Sequence, residues 1–255
     1  FAADGTYSDL EDKFAQLRFE HDATDSTMLY TAIGAHNSDE IGDYSSVTLT
    51  GTDGSSNFGS LASVYERDDV SGVAGIRQKF ETGPVKHELN AGTTAMWQEE
   101  RTNWSSGSDV AGNIYNSGPS TVTFGNAGDA ELNARTILTS YFIADTLSFM
   151  DDKFHLTGGV RRQNVKSRGY DVSTGAKTSS YDSSANSPMV GIVGNVTDQI
   201  SLYANYIEGL AKGETVTSST AVNRGEVLAP FKTEQMEIGA IVVDADRRIR
   251  LINDA

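Results

Sequence analysis

The feature that most constrains this chain is a period-two alternation of apolar and polar residues that recurs in segment after segment. In KFAQLRFEH (13–21), Leu17 and Phe19 alternate with Arg18 and Glu20. Such alternation is typical of β-strands that have one apolar and one polar face, and no segment shows the helical period. The chain is therefore predicted to be all-β.

The alternating segments are separated by connections of two lengths. The predicted strands cover 13–21, 28–36, 69–80, 87–97, 136–149, 154–166, 188–196, 200–208 and a last segment from about 232. Short turns alternate with long polar stretches, which we predict to be loops at about 37–60, 98–133, 167–186 and 209–231. Every second connection is therefore long and polar.

This short–long rhythm favours an antiparallel transmembrane β-barrel with long extracellular loops, because such barrels have short turns at one end and longer loops at the other. The strand lengths suit a tilted strand that crosses the hydrocarbon layer. About nine to ten strands are visible, and the first and last would have unpaired edges. We therefore expect a part of a larger barrel. A soluble β-rich binding module is the alternative that this pattern leaves open.

Composition narrows the possible functions. The 20 basic and 35 acidic residues give a formal net charge of -15, which argues against a nucleic-acid partner. The absence of cysteine excludes a disulfide scaffold, a thiolate metal site and a cysteine nucleophile. The four histidines lack metal-ligand spacing, and no hydrolase motif is present. We predict no enzyme activity, no catalytic residue, no metal site and no resident cofactor.

Three segments resemble the TonB-dependent siderophore receptors of Gram-negative outer membranes. They are ADTLSFMDDKFHLTGGVRRQNV (144–165), YDSSANSPMVGIVGNVTDQISLYANYIEGLAKG (181–213) and GEVLAPFKTEQMEIGA (225–240). The resemblance implies a barrel of about 22 strands that is occluded by an N-terminal plug. It also implies that the protein imports a ferric siderophore with energy delivered through TonB.

The resemblance implies three partners: a ferric siderophore as transported ligand, outer-membrane lipid, and the TonB complex, reached through the family's N-terminal region. The sequence begins at Phe1 without an initiator methionine. We therefore expect a partial chain that lacks the plug and the final strands. A passive or adhesive outer-membrane barrel remains an alternative function.

The end of the chain departs from the family pattern. We expect residues 1–240 to form the partial barrel and residues 241–255 to be an atypical tail. The segment AIVVDADRRIRLINDA (240–255) is compatible with one more barrel hairpin or with the start of a foreign PAS-like domain. The two interpretations stay open at this point.

A ferric siderophore needs aromatic surface for stacking and polar or cationic groups for its charged atoms. We expect such groups on the long loops that face the outer vestibule. The candidate ligand-binding residues are Trp104, Tyr115, Tyr170, Tyr181, Arg101, Arg168 and Arg224.

Overall fold

The computed structural model describes residues 3–116, 121–211, 213–214, 216, 218, 220–223, 228, 231–243 and 249–252. These residues form one 11-stranded sheet in which all strand pairs are antiparallel. The all-β prediction is confirmed. Within the same residues, no helix has the length and apolar character needed to span a membrane.

The strands follow one another in chain order across the sheet, apart from the short β5, which pairs with β3. They are β1 (Tyr7–Thr24), β2 (Thr27–Leu49), β3 (Ser55–Thr82), β4 (Val85–Ser106), β5 (Val110–Asn113), β6 (Glu131–Phe149), β7 (Phe154–Tyr170), β8 (Lys177–Asn195), β9 (Ile200–Ala211), β10 (Phe231–Val243) and β11 (Ile249–Ile252). The strands β1 and β11 form the two edges, so the sheet is not closed. This agrees with the prediction of a partial barrel.

The strands extend far beyond the ends that the sequence predicts. The predicted loop at 37–60 is wrong, because β2 and β3 stay paired out to Leu49 and Ser56. Likewise β4 continues to Ser106, and the β7–β8 connection covers only residues 171–176. Pairing depends on backbone hydrogen bonds and not on apolar side chains. The strands therefore persist where both faces are polar and the alternation is no longer visible in the sequence.

The sheet has an apolar and a polar face, as the alternation predicts. Because directly opposed residues in an antiparallel pair point to the same side, the register defines each face. On the outer face, Ile143 lies opposite Val160. On the inner face, Phe142 lies opposite Arg161, and the Arg161 guanidinium sits 5.5 Å from the centre of the Phe142 ring.

The apolar residues of the outer face form a continuous band. On β4 the band runs from Leu89 to Trp97, which is nine residues. Nine residues span about 30 Å along a strand, and a tilt of about 40° leaves about 23 Å, close to the apolar band of outer-membrane barrels. Outer-face polar residues close the band at its upper end, the end with the longer connections: Lys13, Asn37, Asp68, Glu99, Arg135 and Arg162.

A small hydrophobic core lies above the band. We call this region the upper lobe and define it as residues 3–6, 44–63, 103–116 and 121–128. Four of the five buried hydrophobic residues of the described chain belong to it: Ala3, Phe58, Ala62 and Ala127. Polar bonds tie its parts together, including Ser60 Oγ to Thr123 O at 2.7 Å and Ile114 N to Gly54 O at 3.0 Å.

The last described strands form a hairpin. β10 pairs with β11 from Ala240 opposite Ile252 to Val243 opposite Ile249. The connection at 244–248 and the final residues 253–255 lie outside the described residues. The domain boundary after residue 240 stays a prediction.

Candidate ligand-facing surface

Aromatic side chains gather on the inner face above the level of the apolar band. The strand register places Phe14 on β1, Tyr44 on β2, Tyr65 on β3 and Trp104 on β4 on this side of the sheet. We call these four residues the vestibule aromatics. Phe14 is 85% exposed and Trp104 is 60% exposed, so both present ring surface for stacking.

A polar network lies on the same inner face as the vestibule aromatics, with His36 opposite Phe14. His36 lies between two carboxylates, with Nε2 3.1 Å from Asp12 Oδ1 and Nδ1 3.3 Å from Asp69 Oδ2. Asp69 also accepts from Arg67 Nε at 2.9 Å and from Gln98 Nε2 at 2.8 Å. The network links β1, β2, β3 and β4 and so fixes the inner face on which the aromatic rings stand.

The network and its surroundings shift the pKa values of several titratable groups on this face. Burial opposes ionisation of Asp69, but hydrogen bonds from Gln98, His36 and Arg67 outweigh it and lower the pKa of this carboxyl. Hydrogen bonds from Ser38 and His36 lower the pKa of Asp12. Partial burial, assisted by the nearby Glu100 charge, raises the pKa of Tyr65. At neutral pH the surface therefore offers ionised carboxylates and a neutral phenol.

Tyr181 is an inner-face aromatic of the other half of the sheet. It lies on β8 opposite Ser167, in the same row as Thr136 of β6. Its hydroxyl is buried and has no hydrogen-bond partner among the described residues. An unsatisfied phenol costs free energy unless something outside the described chain bonds to it.

The structure divides the predicted site residues between the two faces. Trp104 and Tyr181 lie on the inner face, but in strands, so their predicted position on long loops is wrong. Arg101 and Arg168 also lie in strands, and both point to the outer face. Whether any of them contacts a ligand stays a prediction.

The outer-face position of Arg101 has a structural explanation. Its guanidinium bonds Asp68 at 2.8 Å and Glu99 at 2.5 Å, and Glu99 also accepts from Arg135 at 2.6 Å. Glu99 is only 4% exposed. Arg101 therefore neutralises carboxylates on the outside of the wall and is directed away from the vestibule.

The remaining predicted residues lie at the upper end of the molecule or outside its described part. Tyr170 is the last residue of β7 and pairs with Lys177 after an irregularity in the register. Tyr115 follows β5 in the upper lobe and packs against Gly54, whose positive φ of 84° suits glycine. Arg224 lies outside the described residues.

Phe14, Tyr44, Tyr65 and Arg67 were not predicted as candidates from the sequence. Tyr44 falls within a stretch that was predicted to be a loop, and Phe14 falls within a predicted strand. One signal could have found them. Along each strand, every second residue continues to point to the inner face beyond the apolar band. In the described part of the chain, no group of three or more His, Cys, Asp or Glu side chains is placed to hold a metal ion.

The chain matches a family model over almost its whole length. The model is described as "TonB dependent receptor-like, beta-barrel" and covers residues 1–250. A curated relative is the ferrichrome receptor FcuA of Yersinia enterocolitica, which is 34% identical over 241 residues. This alignment covers 91% of the chain and 32% of the relative, so the chain spans about a third of the relative's length.

Solved structures of siderophore receptors superpose on the sheet. BauA, the ferric preacinetobactin receptor of Acinetobacter baumannii, matches at 33% identity with a TM-score of 0.75, over 94% of this chain and 36% of BauA. The siderophore receptor PiuA of the same organism matches at 16% identity with a TM-score of 0.72, over 96% of this chain and 39% of PiuA, and shows the shared fold alone. With its two-faced sheet and its match to the family model, this chain belongs to the TonB-dependent receptor β-barrel family.

Proposed function

We propose that this chain is the part of a ferric-siderophore uptake receptor that supplies barrel wall and outer vestibule. The observation that carries the proposal is the family match over residues 1–250, together with identities of 34% and 33% to two receptors named for ferric-siderophore ligands. In this proposal the ferric siderophore is cargo, and the chain holds no resident cofactor. The family is one of receptors and transporters, and we propose that the chain performs no catalysis.

The vestibule aromatics and the network beside them support a binding role. Phe14 and Trp104 expose ring faces on which the organic part of a chelate can stack. The Arg67 guanidinium, whose side chain is 40% exposed, offers donors to its oxygen atoms. Such contacts orient a ligand above the lumen without forming any covalent bond.

The outer face supports residence in the outer membrane of a Gram-negative bacterium. Its apolar band leaves large side chains open, with Leu17 70% and Ile238 73% exposed. Lipid in contact with this band removes that apolar surface from water. We further propose that energy reaches the receptor through TonB, which acts on the family's N-terminal region.

The proposal is tested with the full-length receptor that contains this segment, produced in an iron-starved Gram-negative strain without its own siderophore receptors. We expect saturable binding and TonB-dependent uptake of radiolabelled iron from at least one ferric siderophore. The double variant Phe14→Ala/Trp104→Ala should bind about tenfold or more weakly, since each ring contributes stacking energy. Phe19→Ala, on the outer face, serves as the matched control and should leave binding unchanged.

Two results would contradict the proposal in different ways. If no ferric siderophore of a broad panel binds, the receptor function is wrong. If uptake continues unchanged in a strain without TonB, the passive barrel is the better description. Detergent dependence and heat-modifiable migration on gels separate both from a soluble β-rich module, which would show neither.

A further inference from the structure

Acidic side chains stand on the inner face among the vestibule aromatics. They are Asp12 on β1, Glu40 on β2, Asp69 on β3 and Glu100 on β4. We call these four residues the vestibule carboxylates. Glu40 lies directly opposite Tyr65, and Asp12 is two residues from Phe14, about 7 Å along the strand. A chelate that stacks on these rings therefore comes close to negative charge.

Positive charge is scarce on this side of the sheet. On strands β1–β4, Arg67 is the only lysine or arginine on the described inner face above the apolar band. Four negative charges therefore face one permanent positive charge, and His36 adds a second only when it is protonated. Between Ala134 and Ser140 on β6 and between Gln163 and Gly169 on β7, every inner-face residue is uncharged. The described vestibule is thus acidic overall.

The vestibule carboxylates are only partly neutralised. Arg67 Nε donates to Asp69 at 2.9 Å, which engages the one guanidinium of this region. Among the described residues, Glu40 accepts hydrogen bonds only from hydroxyl groups, including that of Tyr44. Within the same residues, Glu100 has no hydrogen-bond or ion-pair partner. Glu40 and Glu100 therefore present negative charge that no cationic side chain offsets by direct contact.

The charge of a ferric siderophore depends on the groups that bind its iron. Three hydroxamate groups, with one negative charge each, balance the charge of Fe³⁺, so the chelate is neutral unless its backbone carries a further charge. Three catecholate groups, with two negative charges each, leave a strongly negative chelate. Charges interact over about 8 Å at physiological salt before they are screened. An acidic vestibule therefore repels a tris-catecholate and leaves a trishydroxamate unopposed.

We propose that the vestibule carboxylates select ferric chelates without net negative charge, the trishydroxamate class, and exclude polyanionic chelates such as tris-catecholates. This inference rests on the proposed function and adds the charge class of the cargo. Stacking on the exposed rings of Phe14 and Trp104 requires no charge on the ligand. An ammonium group on the chelate gains further from carboxylates that stand beside aromatic rings. The rings thus supply affinity, and the carboxylates supply discrimination.

The test measures filter binding of chelates loaded with radiolabelled iron to the full-length receptor in a nonionic detergent. The probes are a linear ferric trishydroxamate that ends in an ammonium group, its succinylated form in which a carboxylate replaces that group, a cyclic neutral trishydroxamate and a ferric tris-catecholate. We expect the succinylated form to bind about tenfold more weakly than its ammonium parent. The tris-catecholate should bind about 100-fold more weakly than the tighter-binding trishydroxamate.

A double variant shows whether the carboxylates cause this preference. Glu40→Gln/Glu100→Gln should reduce the preference for the trishydroxamate over the tris-catecholate by about tenfold and leave trishydroxamate binding within about twofold. Asp39→Asn/Glu66→Gln removes the same charge from the outer face of β2 and β3 and should change the preference little. Salt at about 1 M should weaken the preference of the parent, because the screening length falls to about 3 Å.

The possible results overturn different claims. A parent that binds the tris-catecholate as tightly as the trishydroxamates refutes this inference alone, because a ferric siderophore still binds. A double variant that keeps the preference of the parent and its heat-modifiable migration also refutes the inference, because charge at these positions then does not decide the preference. A parent that binds no ferric chelate refutes the proposed function, and this inference falls with it.

Discussion

The upper lobe and the apolar band of the wall are built on the same strands but are organised in opposite ways. In the lobe, Phe58 is 2% exposed, and the nearby Ser60 bonds Thr123. In the band, Ile238 on the outer face is 73% exposed. The lobe therefore has an internal core in the sense of a water-soluble domain, whereas the band has none and leaves its apolar side chains open.

This difference indicates which environment, water or an apolar medium, suits each region. A water-exposed segment gains free energy when side chains such as Phe58 are removed from water. A wall one strand thick cannot bury its outer face within the sheet, which suits the lipid contact proposed above. Strand β3 contributes to both regions, since Ile76 lies in the band and Phe58 lies in the lobe.

The largest expected effect comes from removing the lobe core. Phe58→Ala should destabilise the lobe by about 3–5 kcal/mol, because a fully buried ring is lost and a cavity remains. Limited proteolysis of the receptor should then cut faster between residues 103 and 128. Ile238→Ala is the control in the band, where lipid or detergent fills the space, and it should leave cleavage unchanged. Equal sensitivity at both positions would show that the two regions are not organised differently.

A charge placed on either side of one strand tests the band itself. Ala204 lies on the outer face of β9 opposite Ile238, while the adjacent Asn205 lies on the inner face opposite Glu237. Ala204→Arg should cost about 2–4 kcal/mol near mid-membrane, and Asn205→Arg should be neutral or slightly stabilising. Urea titration of the receptor refolded into lipid vesicles measures both. If the two variants unfold at the same urea concentration, the assignment of the faces is wrong.

The sequence predicts the band well and the lobe poorly, for a physical reason. Alternation identifies the faces of Leu17, Val160 and Ala204, because a side-chain period of two is visible wherever one face of a strand is apolar and the other polar. Above the band most residues on both faces are polar, so nothing in the composition distinguishes a paired strand from a loop. Phe58 therefore falls within a stretch predicted to be a loop.

Long-range pairing explains why the sequence did not predict the position of Arg101. Arg101 was predicted on a long loop, but it lies in β4 and bonds Asp68, a residue 33 positions away. That partner is set by the β3–β4 register, which follows from the tight turn between Thr82 and Val85 and from the pairing of the whole hairpin. The residues next to Arg101 in the sequence do not indicate this pairing with Asp68.

The smallest expected effect concerns two hairpin tips. The β2–β3 tip lies in the upper lobe, and the β7–β8 tip lies outside it. In the β7–β8 tip, the Thr174 hydroxyl and the amides of Thr174 and Ser173 bond the Asp171 carboxylate and lower its pKa below the usual 3.8. In the β2–β3 tip, the Ser55 side chain and amide lower the pKa of Asp53 in the same way. Both groups are exposed, so each contribution to stability is small.

The pH dependence of these tips should nevertheless differ. Because both pKa values are lowered in the folded state, the stabilisation is present above about pH 4 and is lost as the pH falls through the folded pKa. The β7–β8 tip should then loosen, whereas Asn113 Nδ2, which donates to Asp53 O at 3.0 Å, keeps the other tip attached to the lobe. NMR amide shifts of Thr174 and Ser55 between pH 2 and pH 6 measure this, with Asp171→Ala as the variant that abolishes the first titration. Line broadening at low pH confined to residues 171–176 would support the contrast, and simultaneous broadening of both tips would show that the lobe core does not hold the β2–β3 hairpin.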